Sequence, residues 1–313
     1  MARVARVLWK LTLACAGCSS LCALVACKGK SKPEPVVVGS TTLPAPIASS
    51  LPIDPRIVSH AVNPKGEAPY SGATGTIRGV VVTSGDEAPA QSQITAKIPA
   101  DCASARNFYG KLFREGPGRT LADAIVGVTG YAGYLPEDVP SQLADATGCA
   151  WSARTYVLTF GQSLDVRSRD SRAYVPDLIG ATLKAQLVAV PRGDAIHLYP
   201  EHPGRFELID SMRLFMSADV VVVSYPTHAV TGSDGSFVIP HVPVGQVTVS
   251  AVLPATAVQT SKRVELHAGE SVEVKLELPF DLKRWEAMRS GATAPSASGS
   301  ATSAPAPAAS ATH

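Results

Sequence analysis

Ser271-Val272-Glu273-Val274-Lys275-Leu276-Glu277-Leu278 alternates apolar with polar or charged side chains along its whole length. The pleat of a strand sends successive side chains to opposite faces, so this stretch predicts a strand with Val and Leu inward and the charges in water. Similar short runs recur upstream. Thr76-Ile77-Arg78-Gly79-Val80-Val81-Val82 opens a β-rich region. Ser92 to Ile98, Ala124 to Thr129, Thr155 to Phe160 and Leu164 to Arg167 read as further short strands. Asp219 to Tyr225 contains Val220-Val221-Val222-Val223, apolar on both faces as in a central strand. Ser233-Asp234-Gly235 turns the chain into the strand Ser236-Phe237-Val238-Ile239. Helix is sparse. Asp281 caps a short segment, 281–289, in which Leu282, Trp285 and Met288 share one face before Gly291 stops it. Ala181 to Val190 is ambiguous. The body, 73–289, is expected to be all-β, a sandwich or a pair of sandwiches.

The flanks differ in composition. Residues 27–72 are rich in Pro, Ser, Gly and Thr with no helical period, which predicts a disordered tether. Residues 290–313 hold only Ser, Ala, Thr, Pro, Gly and a final His, too little apolar surface to offset the entropy of ordering. At the start, Arg3, Arg6 and Lys10 precede an apolar run from Leu11 to Ala26. That run is shorter than the about 20 residues a membrane span needs, and its order reads as an export signal over residues 1–26. The chain carries 28 Lys+Arg against 26 Asp+Glu; without residues 1–26 the balance is 25 against 26. Near neutrality gives no electrostatic support for binding nucleic acid.

The signal ends Leu24-Val25-Ala26-Cys27, which resembles the bacterial lipoprotein box. The resemblance implies that the Cys27 thiol takes a diacylglyceryl group and becomes the acylated N-terminus. Cys15, Cys18 and Cys22 lack a leucine three residues before them and would leave with the signal. Lys28, rather than Asp, follows the candidate and by the same resemblance favours the outer membrane of the cell envelope. Two or more acyl chains make such an anchor durable.

Further along, Ala229-Val230-Thr231-Gly232-Ser233-Asp234-Gly235-Ser236-Phe237, then Val242-Pro243-Val244-Gly245 and Gly269-Glu270-Ser271, resembles the carboxypeptidase regulatory-like domain. That family implies a small transthyretin-like sandwich over residues 226–280, without catalytic residues. Gly235 and Gly245 are expected at positive φ in tight turns, with Phe237 in the core. Upstream, Asp101-Cys102-Ala103, Gly148-Cys149-Ala150-Trp151 and Val157-Leu158-Thr159-Phe160-Gly161-Gln162 resemble bacterial plastocyanin-like proteins. This implies a Greek-key, cupredoxin-like β-sandwich over residues 73–225, with an insertion near 178–205. A copper centre of that family takes two imidazoles, a thiolate and a weak axial thioether. The matching positions here are Tyr174 and Arg213 for the imidazoles, Asp210 for the thiolate and Met216 for the thioether. One weak ligand of four survives, and the fixed charge of Arg213 would repel a cupric ion.

Cys102 and Cys149 are the thiols left in an exported chain besides Cys27. Outside the cytoplasm such a pair reads most simply as a disulfide, closing a loop of about 48 residues worth roughly 4 kcal/mol. The rival use, as metal thiolates, lacks neighbouring imidazoles. His197 and His202, with Glu201, suggest a metal set, but Pro200 argues against a helix presenting both rings. His228, His241 and His267 read as surface or rim residues. Asp234 is a single carboxylate, far short of a calcium loop. Arg167, Arg169 and Arg172 form a basic patch beside Asp165 and Asp170. Neither a Gly-x-Ser-x-Gly elbow nor a phosphate-cradling glycine loop is present. The sequence therefore points to a non-enzymatic, cofactor-free envelope lipoprotein, anchored in the membrane and displaying β-sandwiches to a protein or polysaccharide partner. The competing reading is a plastocyanin-like copper-binding electron carrier with atypical ligands.

Overall fold

A computed structural model describes residues 51–182 and 186–290. Cys27 and the export signal lie outside the described residues, as do most of the tether and of the C-terminal tail. Fifteen strands run in chain order through the described residues. They are β1 Thr74–Gly85, β2 Ile125–Thr129, β3 Ser141–Thr147, β4 Ala150–Trp151, β5 Thr155–Thr159, β6 Ser163–Ser168, β7 Pro176–Ile179 and β8 Ile196–Leu198. There follow β9 Gly204–Asp210, β10 Arg213–Val223, β11 His228–Val230, β12 Ser236–Pro243, β13 Gly245–Leu253, β14 Val258–Leu266 and β15 Ser271–Phe280. The α-helices are α1 Pro55–Val62, α2 Ser92–Thr95, α3 Ala103–Tyr109 and α4 Leu282–Arg289. None is long and apolar enough to cross a membrane.

The strands form two sandwiches with separate cores. In one, the sheet β12-β1-β15 faces β11-β2-β13-β14 across Ile77, Val81, Phe237, Ile239, Val249 and Leu276. In the other, β4-β3-β6-β8 faces β5-β10-β9-β7 across Trp151, Leu158, Leu164, Leu208, Met216 and Val220. The fold is all-β, as the alternating runs predict. In β15, Val274, Leu276 and Leu278 are buried while Glu273, Lys275 and Glu277 face water. Gly235 and Gly245 adopt positive φ (73° and 118°), and Phe237 is in the core.

The division of the chain differs from the expected break at residue 225. The sandwich that holds residues 226–280 is not confined to them, because it takes β1 and β2 from the start of the body. β1 lies between β12 and β15, and β2 between β11 and β13. The second sandwich is built from excursions off this host. The segment between β1 and β2 supplies Ile98, Cys102, Ala105 and Tyr109 to its core, and the segment between β2 and β11 supplies its strands. The excursion leaves and returns at neighbouring points, since Gly127 of β2 pairs with His228 of β11.

Two local readings are corrected. Residues 51–72 are not all tether. Asp54 caps α1, accepting from the Arg56 N–H at 2.8 Å, and Pro55 starts the helix. Val58, Ala61 and Val62 then share one face and pack on the second core with Ile53. Ser92 to Ile98 is not a strand. Ser92–Thr95 forms α2, and Ile98 joins the core from the following turn. The expected C-terminal helix is α4, with the Asp281 carboxylate accepting from the Arg284 N–H at 2.9 Å. Leu282 and Trp285 pack on the host core; Met288 is half exposed.

Candidate functional site

β9 and β10 form an antiparallel hairpin in which Asp210 and Arg213 pair across a two-residue turn. Tyr174, just before β7, is tied to Ala189 by reciprocal backbone hydrogen bonds of 3.1 and 2.9 Å. The hairpin and this segment bring together three of the four positions singled out for a copper centre, and Met216 follows on β10.

Asp210 is fully buried. One carboxylate oxygen accepts from the Val175 N–H (2.9 Å), and the other from the Met212 N–H (3.0 Å) while facing the Arg213 guanidinium at 3.5 Å. Arg213 donates to the Ala173 carbonyl (3.2 Å), and its guanidinium lies 5.1 Å from the centre of the Tyr174 ring. Tyr174, also fully buried, donates its phenolic proton to Asp170 (2.9 Å) and accepts from the Cys149 N–H (3.2 Å). Asp170 accepts in addition from the N–H groups of Gly148 (2.7 Å) and Arg172 (2.8 Å). Burial raises the Asp170 pKa, but these hydrogen bonds outweigh it and hold the carboxyl below its ordinary value. Burial, with the neighbouring Asp170 charge, pushes the Tyr174 phenol up to about 12, so it stays protonated. Met216 is buried among apolar side chains.

These residues do not fit a type of copper that wants imidazoles and a thiolate. The phenol keeps its proton, both Asp210 oxygens are already engaged, and Arg213 holds a permanent positive charge where an imidazole would stand. Among the described residues no three His, Cys, Asp or Glu side chains group closely enough to hold a metal ion.

Cys102 and Cys149 form a disulfide, both partners buried. It joins the two excursions from the host, one end beside α3 and the other in the β3–β4 turn. Because the Cys149 N–H also serves Tyr174, the bridge and the polar network hold the same end of the sandwich.

The remaining sequence candidates fall into separate settings. His197 contacts Asp165 (2.6 Å), Glu201 accepts from Thr182, and His202 contacts the Pro203 carbonyl (2.9 Å). Arg167 and Arg169 both pair with Asp145, and Arg172 reaches Asp101 and Asp170, so the basic patch is largely neutralised. Asp234 caps its own turn through Ser236.

His228 is half-buried where β11 meets β5. Burial lowers its pKa to about 4, and its Nε2 lies 3.0 Å from the Thr159 hydroxyl. That hydroxyl donates to Glu137 at 2.6 Å. With the single hydroxyl proton on Glu137, the imidazole donates from Nε2 and keeps Nδ1 as a bare acceptor. Glu137, Thr159 and His228 carry no shared local motif; only the meeting of β5 with β11 assembles them.

No family model matches the chain, and no curated protein matches it. Solved structures of amicyanin do. A reduced tryptophan-to-tyrosine variant of amicyanin is 16% identical, covering 28% of this chain and 86% of that one, with a TM-score of 0.25. Amicyanin from Paracoccus versutus is 11% identical at the same coverages and TM-score. A reduced proline-to-phenylalanine variant is 14% identical, covering 31% and 99%, with a TM-score of 0.24. A part of this chain is thus weakly similar to most of the length of amicyanin.

Proposed function

We propose that this protein is a non-enzymatic envelope lipoprotein, anchored through Cys27, whose two β-sandwiches serve a structural or partner-binding role. On this reading a cupredoxin-like sandwich has exchanged its copper centre for a structural clasp. The observation that supports it most directly is the closed set of contacts Asp170–Tyr174–Arg213–Asp210, in which each polar group already has a protein partner. Such a satisfied buried network fixes one arrangement of the hairpin and leaves no donor free for an ion.

Metal analysis and an absorption spectrum of residues 51–290 after exposure to cupric salt test the exchange. The expected result is no stoichiometric copper and no intense visible band. Stoichiometric copper with such a band would instead favour the electron carrier. Labelling with a radioactive fatty acid tests the anchor: the label is expected to disappear in Cys27→Ala, and its persistence would overturn the assignment.

A further inference from the structure

Three depressions with shared lining residues, of about 200, 330 and 440 Å³, run from α1 and the loop before β3 to the seam where β5 meets β11. Tyr134 and Leu135 line both the first and the second; Glu137 and Val139 line both the second and the third. Seams of this kind are a common place for ligand sites.

The chemistry of the walls is specific. Lys65 faces Glu67 at 3.8 Å, and the other charged side chain among the described lining residues is Glu137, engaged by Thr159 and the Val139 N–H. Little net charge is therefore offered to a polyanion or a polycation. Tyr131, Tyr134 and Tyr225 contribute rings to the first depression. Tyr225 lies close over β2: a Cβ at Gly127 would stand 3.0 Å from its hydroxyl. Among the described residues, nothing pairs with the hydroxyls of Tyr134 and Tyr225, the Gln142 amide or His228 Nδ1, and none of these atoms is a buried orphan. They make a row of donors and acceptors beside aromatic faces, with few charges.

We infer that this seam is a binding groove for a neutral or N-acetylated glycan chain, tyrosine rings meeting sugar faces while Gln142, His228 and the open phenols meet hydroxyl or acetamido groups. The assignment rests on the partner-binding role proposed above and names the partner's chemistry. Charged polymers fit the walls poorly. A peptide added to a sheet edge would draw on backbone groups, whereas the open groups here belong to side chains.

The test is titration of the full chain in detergent with chitohexaose and with cellohexaose, followed by calorimetry and by the tyrosine resonances. At least one oligosaccharide is expected to bind. Tyr134→Ala should weaken binding tenfold or more and Gln142→Ala at least threefold, with unchanged melting temperatures. Met212→Ser, on the exposed β9–β10 turn, should bind as the parent does. Absence of binding by both oligosaccharides, or binding indifferent to Tyr134→Ala, would overturn the groove. Displacement of a bound sugar by a strand-forming peptide but by no second glycan would also overturn it. Envelope fractionation separates the two proposals: a chain that sediments with membranes yet ignores both sugars defeats the glycan assignment alone.

Discussion

The Arg213 guanidinium lies 5.1 Å from the centre of the Tyr174 ring while standing 3.5 Å from the Asp210 carboxylate. One side chain thus joins the β9–β10 hairpin to the segment before β7. Stacking on the ring orients the planar group, and the carboxylate supplies the opposing charge.

Asp210 has no exposed surface, so its removal leaves the Val175 and Met212 N–H groups without their acceptor and the Arg213 guanidinium without its counter-charge. Asp210→Ala is expected to cost about 3–5 kcal/mol, the usual penalty for breaking a buried charged set, and Asp210→Asn less. Urea unfolding measures both. A value for Asp210→Ala within experimental error of the parent would mean that the network does not stabilise the hairpin.

The depressed pKa of His228 makes stability depend on pH in a definite window. In the unfolded chain the imidazole protonates below about 6.5, but in the folded chain only near 4. The unfolded state therefore binds more protons between these values, and stability falls as pH drops through them, by on the order of 3 kcal/mol. His228→Gln should lack this component. Equal slopes for parent and variant between pH 6.5 and 4 would contradict the burial of the ring.

Loss of the Cys102–Cys149 bridge, whose partners are 47 residues apart, should destabilise by roughly 4 kcal/mol in the chain-entropy treatment. Chemical unfolding of Cys102→Ala/Cys149→Ala measures this. The effect should concentrate in the second sandwich, so hydrogen exchange is expected to rise in β3, β4 and α3 before β13 and β14. Uniform acceleration would show that the two cores unfold as one unit.

A fragment of residues 226–290 lacks β1 and β2 and leaves β12, β15, β11 and β13 without central neighbours. It should stay unfolded by circular dichroism. A chain with residues 70–129 joined directly to 228–290 supplies the missing strands but loses the hydrogen bonds from Arg154 to the Lys111 and Leu112 carbonyls, so it should fold with reduced stability. Cooperative melting of 226–290 alone would refute the discontinuous architecture.

The strand alternation of β15 was legible because it is local: period two in eight residues decides the face of each side chain. The pairing partner was not. β1 meets β15 across nearly two hundred residues, and nothing in either strand names the other. The break at residue 225 was misplaced for the same reason, since the resemblance read over residues 226–280 covers only the contiguous part of a discontinuous sandwich. Helix α1 was hidden by the Pro- and Ser-rich composition around it, although Val58, Ala61 and Val62 have helical spacing. Ile94, Thr95 and Ile98 gave Ser92–Ile98 a strand's composition without a strand's neighbours. At the site, Tyr174, Asp210 and Arg213 were found by counting from motifs, and the structure brings them together. Glu137, Thr159 and His228 lie on three separate segments and carried no such marker.

The parallel run of β1 beside β15, from Thr76–Ser271 to Gly85–Phe280, governs how tension passes through the molecule. A pull on the chain ahead of β1 and behind β15 drags the two strands past each other lengthwise. Their ladder hydrogen bonds must then stretch together, whereas a hairpin peeled from its end releases them one after another. A protein tethered at one end and tugged at the other would resist rupture through this pair of strands.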